Sequence, residues 1–242
     1  MAEIESTKDL LFEEKREWKN AQIKQRKKER RRELLCSMNA DERKAYLLDE
    51  ALVPEEQKKR LEKAKENGQR IVVDCGYDEI MNDKEINSLS KQIKYSYGSI
   101  KRMDQPFAFT IANYHGRIQD ALERFGCSNW TANMSPNQVD EIFNTEELVF
   151  LSPDSLTVLE TLEPTKVYVI GGIVDRSRVK GRTRAAADAI GVATARLPIQ
   201  EYIVDRHNDH ILNVNTVVDI LASIHGGATW PEALEACLPK VL

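Results

Sequence analysis

Residues 167–181 read VYVIGGIVDRSRVKG, an apolar run that leads into two glycines, an aspartate and a cluster of cations. The apolar residues at 167–170 predict a buried strand, and Gly171 and Gly172 let the backbone approach a ligand closely. Asp175 would follow the carboxyl end of that strand, where open α/β sheets bind their ligands. An ordinary turn with a solvated aspartate fits equally well, so the stretch alone predicts a strand and leaves the ligand open.

The cations that follow the glycines favour a ligand. Arg176, Arg178, Lys180, Arg182 and Arg184 occupy the loop and the start of the next predicted helix. Such a cluster suits a phosphate or an RNA backbone. A solvated surface run is the commoner fate of charges, but this run directly adjoins the glycines.

From residue 71 onward, short apolar runs alternate with amphipathic segments, which is typical of βαβ units and a parallel sheet. The sequence predicts strands at 71–74, 107–112, 129–132, 148–151, 167–170 and 193–197. It predicts helices at 84–100, 117–124, 136–143, 155–162, 183–189 and 215–223, with a last short helix after Pro231. The fold class is therefore α/β.

The position of the glycine loop excludes two common nucleotide folds. A dinucleotide-binding GxGxxG loop or a Rossmann-type methyltransferase loop follows the first strand, but here the first strand leads into DCGYD at 74–78. The sequence also contains no GxxxxGK[ST] phosphate loop. The predicted ligand loop comes late in the domain, which is unusual.

Charge is distributed unevenly along the 242 residues, whose net charge is −4. Residues 1–70 hold 19 basic and 16 acidic side chains, which leaves 16 basic and 23 acidic ones for residues 71–242. Residues 15–32 carry ten basic and two acidic side chains, a patch suited to a polyanion. Helices are predicted at 9–38 and 41–66, with a new helix beginning near Pro54. A free solvated helix or a nuclear-localisation signal is the alternative interpretation of the basic patch.

Composition also limits the cellular setting and the chemistry. No stretch approaches 18 apolar residues and the start of the chain has no apolar signal region, so we expect no membrane association and a cytoplasmic or nuclear location. The four cysteines show no CxxC spacing, and we expect no metal site.

Five blocks together resemble the tRNA position-nine guanine-N1 methyltransferases of the SPOUT superfamily. They are IVVDCGYDEIMNDKEINSLSKQI at 71–93, FLSPDS at 150–155, VYVIGGIVDRSRVKG at 167–181, TARLPIQEY at 194–202 and ILNVNTVVDIL at 211–221. The resemblance spans residues 70–235 and implies an α/β fold with a SPOUT-type trefoil-knotted parallel sheet and an N-terminal basic helical extension. Residues 1–68 would form the RNA-binding extension and residues 69–242 the methyltransferase domain.

The same resemblance implies the ligands and the residues that bind them. S-adenosylmethionine would be the cofactor and tRNA the partner, with the chain acting as a monomer. The implied cofactor-binding residues are Leu151, Gly171, Asp175, Arg176, Ser177, Arg178, Val179, Thr183, Leu197, His210, Ile211 and Leu212. The implied substrate-binding residues are Asp74, Lys84, Gln92, Arg178 and Lys180. Asp175 would be the general base that removes the proton from guanine N1.

Alternatives remain open at this point. The chain would be a noncatalytic RNA-binding scaffold if the donor pocket served only structure, or a partner-assembly protein if the basic helix were a docking element. Related enzymes act on guanine, adenine or both, so N1 of adenine is an alternative target. The alternative to substrate binding is that Asp74 caps the end of its strand and that Lys84 and Gln92 are solvated helix residues.

Overall fold

The computed structural model describes residues 2–174, 181–203 and 212–238, with backbone alone for residues 2–17, 20 and 182. In these residues the strands are β1 (Arg70–Asp74), β2 (Ala108–Ala112), β3 (Asn133–Met134), β4 (Leu148–Leu151), β5 (Val167–Gly171) and β6 (Ala193–Ala195). All pair in parallel, in the order β3-β2-β1-β5-β4-β6. The predicted α/β class with a parallel sheet is confirmed.

The helices of the described residues run before, between and after the strands. They are α1 (Ala2–Ser37), α2 (Ala40–Asn67), α3 (Asp83–Ile100), α4 (Gly116–Glu123), α5 (Val139–Ile142), α6 (Arg182–Ile190), α7 (Ile199–Tyr202), α8 (Val214–His225) and α9 (Trp230–Cys237). None of them combines the length and apolar character that crossing a bilayer requires.

The strand register gathers several chain segments at one edge of the sheet. Asp74 at the end of β1 lies opposite Ala112 on one side and Gly171 on the other. Leu151 at the end of β4 lies opposite Ile170. Because every strand is parallel, the carboxyl ends of β1, β2, β4, β5 and β6 meet at the same edge, where ligands bind in open α/β sheets.

Apolar side chains cover both faces of the sheet. Along β1, Ile71 and Val73 belong to one buried cluster and Val72 belongs to another, because successive strand residues point to opposite faces. Helices α3, α4 and α8 contribute to the first cluster, and α5 and α6 contribute to the second. Buried residues recur in α3 at Ile86, Leu89, Ile93 and Ile100, the spacing of an amphipathic helix.

The chain divides into two compact units, Met1–Glu55 and Glu56–Leu242. In the first unit, Asn39 separates α1 from α2, because its Oδ1 accepts the backbone N–H groups of Asp41 and Glu42 at 3.0 and 2.9 Å. Arg43 donates to the carbonyls at the end of α1, and Arg31 bridges to Glu50 at 2.5 Å. In the second unit, Leu61 and Ala64 of α2 are buried. The functional boundary predicted between residues 68 and 69 stays a prediction.

The predicted start of a new helix near Pro54 is wrong. Helix α2 continues from Ala40 to Asn67 with Pro54 inside it. A proline in a helix leaves one carbonyl without its partner, a cost that water reduces when the surroundings are exposed. Residues 49–56 are all exposed.

Two further predicted elements differ from the structure. Residues 155–162 do not form a helix, because the Leu159 N–H donates to the Arg196 carbonyl and the Arg196 N–H donates to the Thr157 carbonyl, which extends the sheet beside β6. The strand predicted at 129–132 is displaced to Asn133–Met134. The trefoil knot stays a prediction, because the chain path through 175–180 and 204–211 lies outside the described residues.

Candidate functional site

Two glycines at the end of β5 allow very close packing at the carboxyl edge of the sheet. The Gly172 N–H donates to the Asp74 carbonyl at 2.7 Å, and a Cβ on Gly172 would lie 2.6 Å from that oxygen. A Cβ on Gly171 would lie 2.5 Å from Oγ1 of Thr183. A side chain at Gly172 would collide with the backbone of β1, so glycine is required there for β1 and β5 to meet, whereas a side chain at Gly171 would force the Thr183 side chain to move.

Four other predicted cofactor-binding residues lie within the described part of the chain. Leu151 ends β4 and is 9% exposed, and Thr183 contacts Gly171 from the first turn of α6. Leu197 and Leu212 pack against the same apolar cluster, which includes Ile199. The structure thus places Leu151, Gly171 and Thr183 at one sheet edge, and it packs Leu197 and Leu212 against one apolar cluster.

An ion pair fixes the chain between β6 and α7. The Arg196 guanidinium donates to both carboxylate oxygens of Glu201, at 2.9 and 2.6 Å. Two parallel hydrogen bonds define the geometry better than one. They hold the turn that carries Leu197.

The predicted cofactor-binding and substrate-binding residues between 175 and 180 and at 210 and 211 lie outside the described residues. These are Asp175, Arg176, Ser177, Arg178, Val179, Lys180, His210 and Ile211. Their roles stay predictions.

Asp74 is a buried carboxylate at this sheet edge. It is 7% exposed, and its Oδ1 accepts from Asn113 Nδ2 at 2.7 Å and from the Gly76 N–H at 3.0 Å. Burial raises the pKa of the Asp74 carboxyl above its usual range, and these two hydrogen bonds only partly oppose that effect. The structure therefore shows Asp74 as a partly desolvated group that caps the end of β1, because its carboxylate accepts the Gly76 N–H.

Asn113 is a residue of this site that the sequence did not reveal. It follows β2 and has a φ of 52°, a left-handed conformation that asparagine tolerates better than most residues. This conformation accompanies the hydrogen bond to Asp74. The sequence signal that could have indicated Asn113 is its place as a polar residue directly after the strand predicted at 107–112.

The structure separates the two predicted substrate-binding residues of α3. Lys84 is exposed in the first turn of the helix, where its backbone N–H donates to the capping residue Asn82. Gln92 is buried, and its Oε1 accepts from the backbone N–H of Val214 at 2.9 Å. Gln92 therefore joins α3 to the first residue of α8, two positions after Leu212.

Replacing Gln92 with methionine is expected to lower the free energy of unfolding by about 1–3 kcal/mol, because the buried Val214 N–H loses its acceptor. Urea denaturation measures this loss. Gln92 also donates to Ser88 Oγ at 3.3 Å. The control Ser88→Ala removes only that longer contact and should cost less than about 1 kcal/mol. Equal losses in the two variants would contradict the assigned role of the Val214 contact.

Comparison with known proteins places the fold among the SPOUT methyltransferases, because Trm10 structures share it. The sequence model of the family described as tRNA (guanine(9)-N(1))-methyltransferase TRM10/TRM10A matches residues 5–241. The chain belongs to this family, and the resemblance drawn from the sequence is confirmed.

Individual relatives agree with the family. A tRNA (guanine(9)-N1)-methyltransferase from Schizosaccharomyces pombe is 35% identical over 231 residues, which cover 92% of this chain and 72% of that protein. The human tRNA methyltransferase 10 homolog B is 36% identical over 187 residues, which cover 74% of this chain. The chain spans 59% of the length of that relative.

Two solved structures resemble this chain. Full-length spTrm10 in complex with SAH has a TM-score of 0.65 and 35% identity, covering 70% of this chain and 94% of that one. A dual specific Trm10 from Thermococcus kodakaraensis has a TM-score of 0.56 and 19% identity, covering 70% of this chain and 99% of that one, and it supports the fold alone.

Proposed function

We propose that this protein transfers a methyl group from S-adenosylmethionine to N1 of guanine at position 9 of tRNA. The observation that carries the proposal is the sheet edge where Gly171, Thr183 and Leu151 meet beside the buried Asp74. Membership of a family described by this activity supports it.

The residues at this edge fit the donor. SAH, the demethylated product of S-adenosylmethionine, is bound in the similar spTrm10 structure. Gly171 and Gly172 carry no side chains of their own, so a ligand can approach the backbone at the end of β5. Leu151, Leu197 and Leu212 supply apolar contacts, and the donor supplies a sulfonium-bound methyl group. The cofactor-binding roles of the seven predicted residues outside the described ranges, from Asp175 to Val179 and at His210 and Ile211, are part of this proposal.

The proton on guanine N1 must leave when the methyl group arrives. Asp175 is the proposed general base, because an ionised carboxylate accepts protons and this one follows the glycine pair in sequence. Asp74 and Gln92 act at a distance from the proton, as buried groups that hold neighbouring backbone. Lys84, Arg178 and Lys180 provide cations for the RNA backbone.

The partner is tRNA, held by the basic helix and by the cations after β5. The chain acts as a monomer located in the cytoplasm or nucleus. Position 9 lies within a folded tRNA, so its base must leave the stack to expose N1. The basic side chains of α1 described from residue 21 onward are exposed, as phosphate contacts require.

The decisive experiment combines donor binding with product mapping. Equilibrium dialysis with S-adenosylmethionine tests the donor site, and mass spectrometry identifies the methylated nucleoside in an incubated transcript pool. N1-methylguanosine at position 9 supports the proposal. Donor binding without product supports a scaffold, and N1-methyladenosine at position 9 supports the alternative base specificity.

Removing residues 1–38 is expected to flatten the salt dependence of tRNA binding. Each neutralised phosphate contributes roughly −0.7 to −0.9 to the slope of log K against log salt. A helix that binds phosphates therefore makes the slope steeper, and its removal makes the slope shallower. Filter binding of unmodified tRNA between low and moderate salt measures it.

Glutamine substitutions at Arg26, Lys27 and Lys28 in the full chain provide the matched test of charge without loss of the helix. Glutamine substitutions at Lys58 and Lys59 of α2 are the control. An unchanged slope in both the truncated and the Arg26, Lys27 and Lys28 variants would exclude the helix as an RNA contact.

A further inference from the structure

A cleft of about 360 Å³ opens at the same carboxyl edge, between the turn after β1 and helix α6. Gly76, Tyr77, Glu79 and Ile80 form one wall, and Ala185 and Ala186 form the other. Its volume lies within the range of about 300–1,000 Å³ that ligand pockets occupy.

Both walls of the cleft are tied to the glycine pair of β5. On one side, the Gly76 N–H donates to the Asp74 carboxylate, and the Asp74 carbonyl accepts from the Gly172 N–H. On the other side, Thr183 contacts Gly171 one helical turn or less before the alanines of α6. The cleft is therefore next to the proposed donor loop, where the acceptor of a methyl group has to lie.

The chemistry of the lining suits a flat base with amino groups on its edge. Ile80 is 37% exposed, and together with the alanines it offers apolar surface to the faces of a ring. Glu79 adds an exposed carboxylate, which only accepts hydrogen bonds when ionised. Among residues 2–174, 181–203 and 212–238, no hydrogen bond or ion pair engages the Glu79 side chain.

We propose that this cleft receives the extruded purine of the RNA and that Glu79 selects guanine by accepting from its 2-amino group. The inference rests on the proposed function and adds the binding site of the base and the residue that reads it. Guanine carries an N2 amino donor, whereas adenine and hypoxanthine carry only a C–H group there. Of these three bases, only guanine can donate a hydrogen bond to a carboxylate that faces that position.

The first test compares ligated tRNA transcripts that carry guanosine or inosine at position 9, under single-turnover conditions. Wild-type enzyme should methylate guanosine about 10- to 100-fold faster than inosine, the value of one hydrogen bond to a charged group. Glu79→Ala should reduce that ratio to about 1 by slowing the guanosine reaction alone. Glu235→Ala removes an exposed carboxylate of α9 outside the cleft and should keep the wild-type ratio. An unchanged ratio in Glu79→Ala overturns the inference.

The second test needs no methyl transfer. RNA with 2-aminopurine at position 9 gains fluorescence when the base leaves the stack, and 2-aminopurine retains the 2-amino group. Ala185→Leu narrows the cleft, whereas Ala189→Leu enlarges another exposed alanine of α6 outside it. Ala185→Leu should weaken binding of this RNA, measured by the fluorescence titration, about tenfold relative to Ala189→Leu, with SAH affinity unchanged in both.

The two tests separate the inference from the function on which it rests. Absence of methyl transfer by wild-type enzyme, together with a binding loss confined to Ala185→Leu, rejects the proposed activity and keeps the base site. Methyl transfer at position 9 with identical behaviour of Ala185→Leu and Ala189→Leu keeps the activity and rejects the base site.

Discussion

Asp175→Asn is expected to lower the single-turnover rate of methyl transfer to tRNA about 10²- to 10⁴-fold, the contribution typical of a general base. Asparagine preserves the size of the side chain but cannot take the proton from guanine N1. Positioning of the two substrates would remain, so some activity should persist. Rapid-quench assays with excess enzyme, repeated across pH, measure the rate and its pH profile.

The matched control for this experiment is Asp188→Asn. It also removes one carboxylate, but on α6, where the Asp188 side chain is 67% exposed and lies 3.8 Å from the Arg184 guanidinium. It should keep both the wild-type rate and the wild-type affinity for SAH. A full rate and an unaltered pH profile in Asp175→Asn would show that another group removes the proton.

Strands β4 and β5 of the parallel sheet were predictable because they are short, buried and almost wholly apolar. Residues 148–151 and 167–170 were both predicted. Short runs of β-branched and other apolar residues between amphipathic segments are typical of buried strands in a parallel sheet. The register that puts Asp74 opposite Gly171 was not predictable from either strand by itself. It depends on how the strands pair across nearly 100 residues of chain.

The incorrect prediction of a helix at 155–162 shows that tertiary contacts can override a local sequence pattern. Serines at 152 and 155 accept backbone N–H groups within the segment, which favours turns. The backbone then pairs with Arg196 beside β6. A weak amphipathic pattern cannot anticipate a partner that lies about 40 residues later in the sequence.

Gln92 shows the same limit for the candidate site. The family resemblance implied a substrate-facing amide there, and only the fold reveals that its oxygen accepts from Val214, 122 residues away. The glycine pair was different, because glycine itself signals a close approach of the backbone. The sequence thus pointed to the glycine pair as a place of close packing, whereas the residues that hold its surroundings had to be seen in three dimensions.

These contacts make the sheet edge sensitive to backbone spacing. The Asp74 carboxylate anchors Gly76, and its carbonyl anchors Gly172. The wall of the base cleft and the end of the donor strand therefore share one residue. A shift of β5 relative to β1 should disturb both ligand sites together, because packed interiors transmit small displacements.

Gly172→Ala is expected to produce such a shift and to lower SAH affinity tenfold or more, with an unfolding free energy reduced by about 1–3 kcal/mol. The added Cβ would lie 2.6 Å from the Asp74 carbonyl oxygen and 3.2 Å from its carbon. Backbone atoms cannot rotate away as a side chain can, so β1 and β5 must separate. Isothermal titration with SAH and urea denaturation measure the two effects.

Gly98→Ala in α3 is the control, because its Cβ would meet only the end of the Arg102 side chain, at 3.7 Å. Alanine is also the better helix former by about 0.5–1 kcal/mol, so this variant should be as stable as the wild type or more stable. Wild-type SAH affinity in Gly172→Ala would mean that the donor does not lie against the end of β5. A loss of affinity without a loss of stability would indicate that the methyl group at residue 172 blocks the ligand directly and leaves the strands in place.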